Sequence, residues 1–538
     1  MRRRLTMYAV AVTLFAGSSP ALAQSWAVED PVLRAIWEEG MNNSQVMRIA
    51  QTLMDSVGPR LTGTPGYDNA ANWAVSTLNG WGVQAQKEQY GTWHGWRRGI
   101  THVDLVRPRL RSLEGMMLAY SPGTGGRPVE AQVVAVPEVA DSAAWNAFLG
   151  TVRGRIVARS APQITCRPND HYERFGQTFA QGGGFGGPGG GQGQQQQGPR
   201  NALEKLTQER TAANQAFNRN KPNAAQQRLA IENAGALAIL ESNWSNDLGV
   251  NKIFDTQTTR IPTIDISCED YGLVYRLAAN NQGPVVRITA ESENLGMVPV
   301  HNVIGMVRGS QLPNEYVFFS AHYDSWDGGS GATDNGTGSS MMLEAMRILR
   351  TVYPNPKRTL AIGLWGGEEQ GLNGSRRYVA MHPEIVDNIQ VLFNQDNGTG
   401  RVQNISMSGF INAGRAFGEW MGRLPSQLSG GINLQIPGSP GTGGTDHVAF
   451  LCAGAPAFNL SALSWDYGTA TWHTNRDTYD KIVADDIRMN ATLAAMLAYL
   501  ASEHPERVSR DKRYTGQIPW PPCQPGAAQS PRAAQPAR

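Results

Sequence analysis

The sequence predicts an α/β protein with a doubly wound mixed sheet, helices on both faces of that sheet, and a β-rich inserted unit. Three observations support this prediction. In the carboxy-terminal half, short apolar runs alternate with segments of helical periodicity. Before this half lies a long section with several strand-like segments. The chain of 538 residues, with a hydrophobic share of 41%, is also too long for one ordinary domain and has ample material for a core.

The first residues have the pattern of an export signal. Three arginines at positions 2–4 precede an apolar run. Ala21-Leu22-Ala23 then has the small-x-small pattern that precedes the cleavage site of an export signal. The apolar run is shorter than the about 18 residues that a membrane-spanning helix needs, so we expect residues 1–23 to be removed. The mature chain would then be periplasmic or extracellular and free of the membrane. The export route stays open.

Residues 24–125 are predicted to form the amino-terminal part of a catalytic domain. Apolar residues recur at helical spacing before and after a turn at 58–66, which predicts two helices. Residues 126–295 are predicted to form the insert. In and just before this insert we expect strands at 100–106, near 118, and at 132–136, 155–158, 234–240 and 261–266, and helices within 201–227 and 271–280.

A Gly/Gln-rich segment, residues 177–200, interrupts the insert. Its composition buries too little apolar surface to offset the entropy of ordering, so we expect disorder. Gly182, Gly184 and Gly187 satisfy a dinucleotide-binding spacing, but no strand leads into them and no helix follows, which excludes that function. The tail, residues 506–538, is rich in Pro, Ala, Gln and Arg and is predicted to be mostly disordered.

Residues 296–505 are predicted to form the main part of the catalytic domain. The alternating pattern predicts strands at 303–307, 316–321, 359–365, 390–394 and 457–460, and helices at 339–352, 375–381, 413–424, 446–452 and 485–503. In such sheets, ligands bind beyond the carboxyl ends of the strands.

Charge and cysteine content narrow the possible functions. The net charge is +2 and no basic cluster follows the amino terminus, so neither nucleic acid nor an acidic membrane surface is an expected partner. The four cysteines, Cys166, Cys268, Cys452 and Cys523, allow three disulfide pairings. We favour Cys166 with Cys268, because both lie in the predicted insert.

Potential metal ligands stand at the predicted strand ends or in the loops after them. They are His322, Asp324, Asp334, Glu368, Glu369, Asp396 and His473. Carboxylates gathered at one edge of a sheet need a compensating cation. Mixed carboxylate and imidazole ligands suit zinc, cobalt or manganese better than calcium or magnesium. One shared carboxylate would give two metal positions about 3.5 Å apart. Of the adjacent glutamates, one could bind metal while the other acts as general base.

Several segments resemble metallopeptidase family twenty-eight, a family of di-zinc exopeptidases. In this sequence they read Gly58-Pro59-Arg60-Leu61-Thr62-Gly63, Ala321-His322-Tyr323-Asp324-Ser325, Gly331-Ala332-Thr333-Asp334-Asn335-Gly336-Thr337-Gly338, Gly366-Gly367-Glu368-Glu369-Gln370-Gly371, Asn394-Gln395-Asp396 and His473-Thr474-Asn475-Arg476-Asp477-Thr478. The middle of the chain resembles the protease-associated domain that many members insert.

The resemblance implies a role for each of these residues. One zinc ion would be held by His322, Asp334 and Asp396, and a second by Asp334, Glu369 and His473. Glu368 would be the general base, Asp324 would orient the His322 imidazole, and the Asp334–Asn335 peptide bond would be cis.

Two further segments leave their roles open. The segment 443–447 resembles the segment that precedes a pocket-lining helix in the family. Contact with substrate and a purely structural role are equally compatible with its sequence. Trp465, Tyr467 and Trp472 form an apolar specificity pocket or pack under a loop.

The resemblance therefore implies a zinc-dependent exopeptidase that hydrolyses terminal peptide bonds. We favour an aminopeptidase, with a carboxypeptidase or a dipeptidase as alternatives. A single-zinc glutaminyl cyclase and a catalytically inactive binding protein are less favoured, because no ligand or base is missing. The substrates would be peptides, and the sequence does not indicate an oligomeric state.

Overall fold

The computed structural model describes residues 29–173, 199–439 and 444–512. The predicted signal segment, nearly all of the Gly/Gln-rich segment, Cys523 and most of the predicted tail lie outside these residues. Within the described part of the chain, none of the helices combines the length and the apolar composition needed to cross a membrane.

The described strands form one mixed sheet of fourteen strands. The main path runs in the order β13-β12-β14-β11-β9-β10-β8-β4-β5-β6-β7-β3, and β1 pairs with β8 and β2. The strands are β1 Gln84–Arg107, β2 Arg111–Leu113, β3 Gly115–Met117, β4 Val129–Ala135, β5 Ile156–Ala158, β6 Ala238–Glu241, β7 Thr263–Ile266, β8 Val285–Val307, β9 Leu312–His322, β10 Arg358–Trp365, β11 Ile389–Asn394, β12 Val402–Ser406, β13 Asn433–Gln435 and β14 Ala457–Ala462.

Two very long strands connect the two halves of the sheet. β1 and β8 pair antiparallel from Gln84 opposite Met306 to Arg107 opposite Val285. At one end of this ribbon β8 pairs with β10, and at the other end it pairs with β4. The ribbon therefore joins a large half, which contains β9 to β14, to a small half, which contains β3 to β7. The domain boundaries predicted at residues 125 and 295 stay predictions.

Helices cover both faces of the large half, as the sequence predicted. Phe318 of β9 contacts Phe450 on one face, in a helix that follows residue 446. The next residue, Phe319, points to the opposite face, where its strand neighbour Phe393 contacts Trp420 of another helix. The described α-helices are Pro31–Trp37, Val46–Gln51, Pro65–Gly80, Ser142–Leu149, Pro199–Asn218, Ala224–Asn233, Cys268–Ala279, Thr337–Val352, Asn373–Met381, Pro383–Val386, Ala413–Met421, Ser426–Ser429, His447–Cys452 and Ala484–Glu503.

The predicted elements of the large half are present, and their ends differ by a few residues. The antiparallel pairs β8–β10 and β12–β14, among otherwise parallel neighbours, make the sheet mixed. β12, β13 and the full lengths of β1 and β8 were not predicted from the sequence. The exposed middle of the β1–β8 ribbon carries no sustained apolar alternation, which is the signal that strand prediction needs.

The small half has its own apolar cores and a disulfide. Ile156, Ala238 and Ile264 belong to one buried cluster, and Val157 and Ile239 point to a second one on the other side. Cys166 and Cys268 are bonded, with an S–S distance of 2.05 Å, so the favoured pairing is confirmed.

A buried ion cluster stabilises this small half. The Glu241 carboxylate at the end of β6 is fully buried and accepts hydrogen bonds from Arg159 Nε at 2.7 Å and Arg228 Nη2 at 2.5 Å. Burial alone would raise the pKa of Glu241, but the two guanidinium groups outweigh it and lower the pKa to about 2. Because the pKa is lowered by folding, the stabilisation is present above pH 4.5 and is lost as the pH falls towards 2.

We predict that Glu241→Gln destabilises the small half by about 3 kcal/mol, because two buried guanidinium groups lose their counter-charge. Hydrogen exchange of peptides covering β5 and β6 should speed up, whereas peptides covering β9 to β11 should keep their protection. Glu209→Gln, at a half-exposed carboxylate, is the matched control. Unchanged exchange in β5 and β6 would contradict the stabilising role of this cluster.

Candidate functional site

Three neighbouring parallel strands bring most of the predicted ligands to one edge of the sheet. His322 is the last residue of β9, Asp396 follows β11 by two residues, and Glu368 and Glu369 follow β10. Asp334 comes from the loop after β9, and its loop ends where the helix Thr337–Val352 begins. His473 and Asp334 lie on loops rather than on strands.

The Asp334 carboxylate lies at the centre of this group. Its Oδ1 is 3.4 Å from His322 Nε2, and its Oδ2 is 3.1 Å from His473 Nε2. His322 Nε2 is also 3.1 Å from Asp396 Oδ1, and His473 Nε2 is 3.0 Å from Glu369 Oε2. Each imidazole therefore faces two carboxylates. The structure forms two groups of three potential metal ligands, His322 with Asp334 and Asp396, and Asp334 with Glu369 and His473.

The polar atoms of this group fit a shared cation. Among the described residues, the buried atoms Asp334 Oδ2 and Glu369 Oε1 have no hydrogen-bond partner. Unpartnered buried polar atoms are rare because each loses its hydration without replacement. Imidazole nitrogens and carboxylate oxygens that converge in this way are the ligands that zinc takes in proteins.

The carboxylates of the site change the pKa values of the two imidazoles. Burial alone would lower the pKa of His473, but Glu369 and Asp334 outweigh it and raise the pKa to about 9. Asp396 and Glu368 likewise overcome burial and raise the pKa of His322 well above its usual value. Positive charge is thus favoured at these imidazoles. A bound metal cation would supply that charge and would require neutral imidazoles.

Asp324 connects the His322 imidazole to the glutamate pair. His322 Nδ1 is 3.0 Å from the Asp324 carbonyl oxygen and 3.6 Å from its carboxylate. The carboxylate accepts hydrogen bonds from the main-chain N–H groups of Glu368 and Glu369, at 3.2 and 3.3 Å. The main chain of Asp324 therefore makes the closer contact with His322, and its side chain fixes the turn that carries both glutamates.

Glu368 lies next to this site but outside both groups of three. Burial raises the pKa of Glu368 well above its usual value, and Asp396 and Asp446 add to this against the opposing charge of His322. Asp446 is fully buried and belongs to the segment 443–447, in which residue 443 lies outside the described part. A carboxylate with a raised pKa accepts protons more readily, which suits a general base.

Two residues that hold the site were missed as functional residues. The Asp477 carboxylate accepts hydrogen bonds from the N–H groups of Thr333 and Asp334, at 2.7 and 3.1 Å. The buried Arg60 guanidinium donates to the carbonyl oxygens of Gly58, Tyr323, Ser330 and Gly331. Both residues lie within the quoted motifs, which was the available signal. The Asp334–Asn335 bond is cis, as the resemblance implied.

Aromatic rings surround the His473 imidazole. The ring centroid of Trp472 lies 4.0 Å from that of His473, and Phe254 lies 5.0 Å from it. Phe254 comes from the small half of the sheet, so sequence separation hid its contact with His473. Trp465 is 57% exposed and Trp472 is 37% exposed, so both present apolar surface to solvent.

Comparisons with known proteins agree with this architecture. Residues 302–498 match the model of Peptidase family M28. Carboxypeptidase Q of Mus musculus is 26% identical over 461 residues, which cover 85% of this chain and 86% of that protein. Carboxypeptidase Q of Homo sapiens is 25% identical over 484 residues, which cover 88% of this chain and 89% of that protein.

Two solved structures are similar in fold. The peptidase M28 precursor of Shewanella amazonensis has a TM-score of 0.63 at 23% identity, over 89% of this chain and 97% of that one. BSAP, a zinc aminopeptidase of Bacillus subtilis, has a TM-score of 0.54 at 18% identity, over 87% of this chain and 97% of its own. The residues of both ligand groups lie within residues 302–498, the range that matches the model of Peptidase family M28.

Proposed function

We propose that the chain is a zinc-dependent exopeptidase that hydrolyses a terminal bond of short peptides. One observation carries this proposal: the two oxygens of Asp334 face two different imidazoles, those of His322 and His473. A carboxylate in this position can bridge two cations. The disulfide between Cys166 and Cys268 is consistent with a periplasmic or extracellular protein, because such bonds persist in oxidising compartments.

Five side chains would hold two zinc ions. His322, Asp334 and Asp396 would hold one, and Asp334, Glu369 and His473 would hold the other. Both groups of three are complete, which supports two ions rather than the single ion of a cyclase. Imidazole and carboxylate ligands together favour zinc over calcium or magnesium.

The protein would supply the base and its orientation. When bound, the zinc ions would polarise the scissile carbonyl and lower the pKa of the attacking water. The Glu368 carboxylate would take a proton from that water and deliver it to the leaving amine. Asp324 would keep Glu368 in place through the main-chain N–H that it binds.

The relatives carry names of two kinds of exopeptidase. Carboxypeptidase Q and the zinc aminopeptidase BSAP differ in the peptide end that their names state. The sequence favoured an aminopeptidase and kept a carboxypeptidase or a dipeptidase as alternatives. The two ligand groups are compatible with each of these activities, since the terminus is read by side chains around the metal ligands.

We predict that Glu368→Gln lowers kcat for a dipeptide by about 10²- to 10⁴-fold, because the amide cannot accept the proton. Zinc content, measured by mass spectrometry of the metal, should not change, since Glu368 belongs to neither ligand group. Glu384→Gln, at a largely exposed carboxylate of the same half, is the control. Retained activity in Glu368→Gln would refute the role of Glu368 as base.

Asp334→Ala should lose both zinc ions, because Asp334 belongs to both groups. Asp396→Ala should lose one and keep the other, because the group of Asp334, Glu369 and His473 stays intact. The measurement is zinc per chain after dialysis against a weak chelator. Two ions retained by Asp334→Ala would show that Asp334 does not bridge.

Asp477→Asn should weaken zinc binding by about 10- to 100-fold. Asparagine offers only one acceptor oxygen, so one of the N–H groups of Thr333 and Asp334 would lose its partner. A competition titration with a fluorescent chelator measures this affinity. An affinity equal to that of the unchanged protein would mean that Asp477 does not position Asp334.

A further inference from the structure

A segment of the small half forms one wall of the ligand site. The N–H of Ile253 donates a hydrogen bond to the carbonyl oxygen of His473 at 2.8 Å, and the N–H of Asn475 donates to the carbonyl oxygen of Asn251 at 3.0 Å. Lys252 lies opposite Thr474 in an antiparallel bridge. Residues 251–253 are therefore fixed against the loop that carries His473.

The Lys252 side chain is buried, and in the described part of the chain no carboxylate forms a direct ion pair with its ammonium. Lys252 is only 8% exposed. Its Nζ lies 4.2 Å from the ring centroid of Trp472, whose ring is itself in contact with that of His473. No carboxylate among the residues that the structure describes forms an ion pair with Lys252. A buried ammonium without a partner is costly, and an anion bound next to it offsets part of that cost.

The ammonium of Lys252 interacts electrostatically with the candidate ligand Asp334. Burial lowers the pKa of Lys252 to about 8, and the carboxylates of Asp334 and Asp265 oppose this change. The group therefore remains mainly charged at neutral pH. The cation–π contact with Trp472 holds this charge at the edge of the site. Arg98 and Arg476, two other cations of this region, are each paired with a carboxylate.

We infer that Lys252 binds the free carboxylate at the carboxy terminus of the substrate. This inference rests on the proposed exopeptidase function. The ring of Trp472 contacts both the Lys252 ammonium and the His473 imidazole. Consecutive Cα atoms of a peptide are about 3.8 Å apart, so a carboxylate at Lys252 belongs to a residue directly after the scissile bond or one position further. The substrate class is peptides that lose a carboxy-terminal residue, dipeptides included, and the small half of the sheet supplies the selecting charge.

The test compares one dipeptide in three forms: free at both ends, amidated at the carboxy terminus, and acetylated at the amino terminus. The unchanged protein should favour the free carboxylate over the amide by roughly 10- to 100-fold in kcat/KM, the range of a charged hydrogen bond. In Lys252→Met this preference should fall to near onefold. The decrease in kcat/KM should affect the free acid, mainly through a higher KM, while kcat/KM for the amide should not change. Lys252→Arg should restore part of the preference.

Lys221→Met is the matched control. Lys221 belongs to the same half, its Nζ lies 3.4 Å from the ring centroid of Phe217, and burial lowers its pKa to about 8. This variant should keep the full preference for the free acid. A general loss of structure in Lys252→Met would lower kcat/KM equally for the free acid and the amide. The preference for the free acid would then stay unchanged, and this outcome would overturn the inference.

The outcomes separate this inference from the proposed function. Equal cleavage of acid and amide by the unchanged zinc-loaded protein would overturn carboxylate recognition and leave the exopeptidase in place. Loss of cleavage only on acetylation would indicate recognition of the amino terminus and would likewise overturn it. Absence of cleavage of every form would refute the exopeptidase itself.

Discussion

The structure depends on the cost of gathering like charges in a buried place. Asp334, Glu369 and Asp396 meet two imidazoles at the carboxyl edge of the sheet, and Glu368 lies beside them. Without positive charge, this arrangement would be strongly unfavourable. Cations shared by several carboxylates relieve the repulsion, and the surrounding groups then need only to hold the ligands in place.

The residues that hold the ligands in place are buried, and they do so through hydrogen bonds to the main chain. Arg60 gathers four carbonyl oxygens from the turns around Asp324 and Asp334. Asp477 fixes the main chain of Asp334, and Asp324 fixes that of the glutamate pair. Asp334 and Glu369 are therefore oriented by hydrogen bonds to their main chains, which do not compete for the ligand atoms. Metal sites commonly require such outer support.

The two halves of the sheet divide the work of the site. The large half supplies the five candidate ligands and the proposed base, whereas the small half supplies Lys252 and Phe254 at the wall. The long β1–β8 ribbon fixes one half relative to the other. This division fits the comparisons: the family match covers the candidate ligands, and a sequence relative and a structural neighbour carry names of different exopeptidases. Selectivity for a peptide end can then change in the small half while the ligand groups stay intact.

The sequence by itself determined the fold class, the ligands and the base as candidates. His322, Glu369 and Asp396 were identifiable because apolar runs mark strands locally and parallel strands bring their carboxyl ends together. The lengths of β1 and β8 could not be read, because their exposed middle has no apolar alternation. The contacts that Arg60, Asp477 and Lys252 make emerged only from the tertiary structure. Lys252 is more than two hundred residues from His473, and a charge that forms no direct ion pair in the described part of the chain is visible only once every neighbour has been placed. Local patterns record which side chains a strand carries, but contacts across the chain depend on how the whole sheet is assembled.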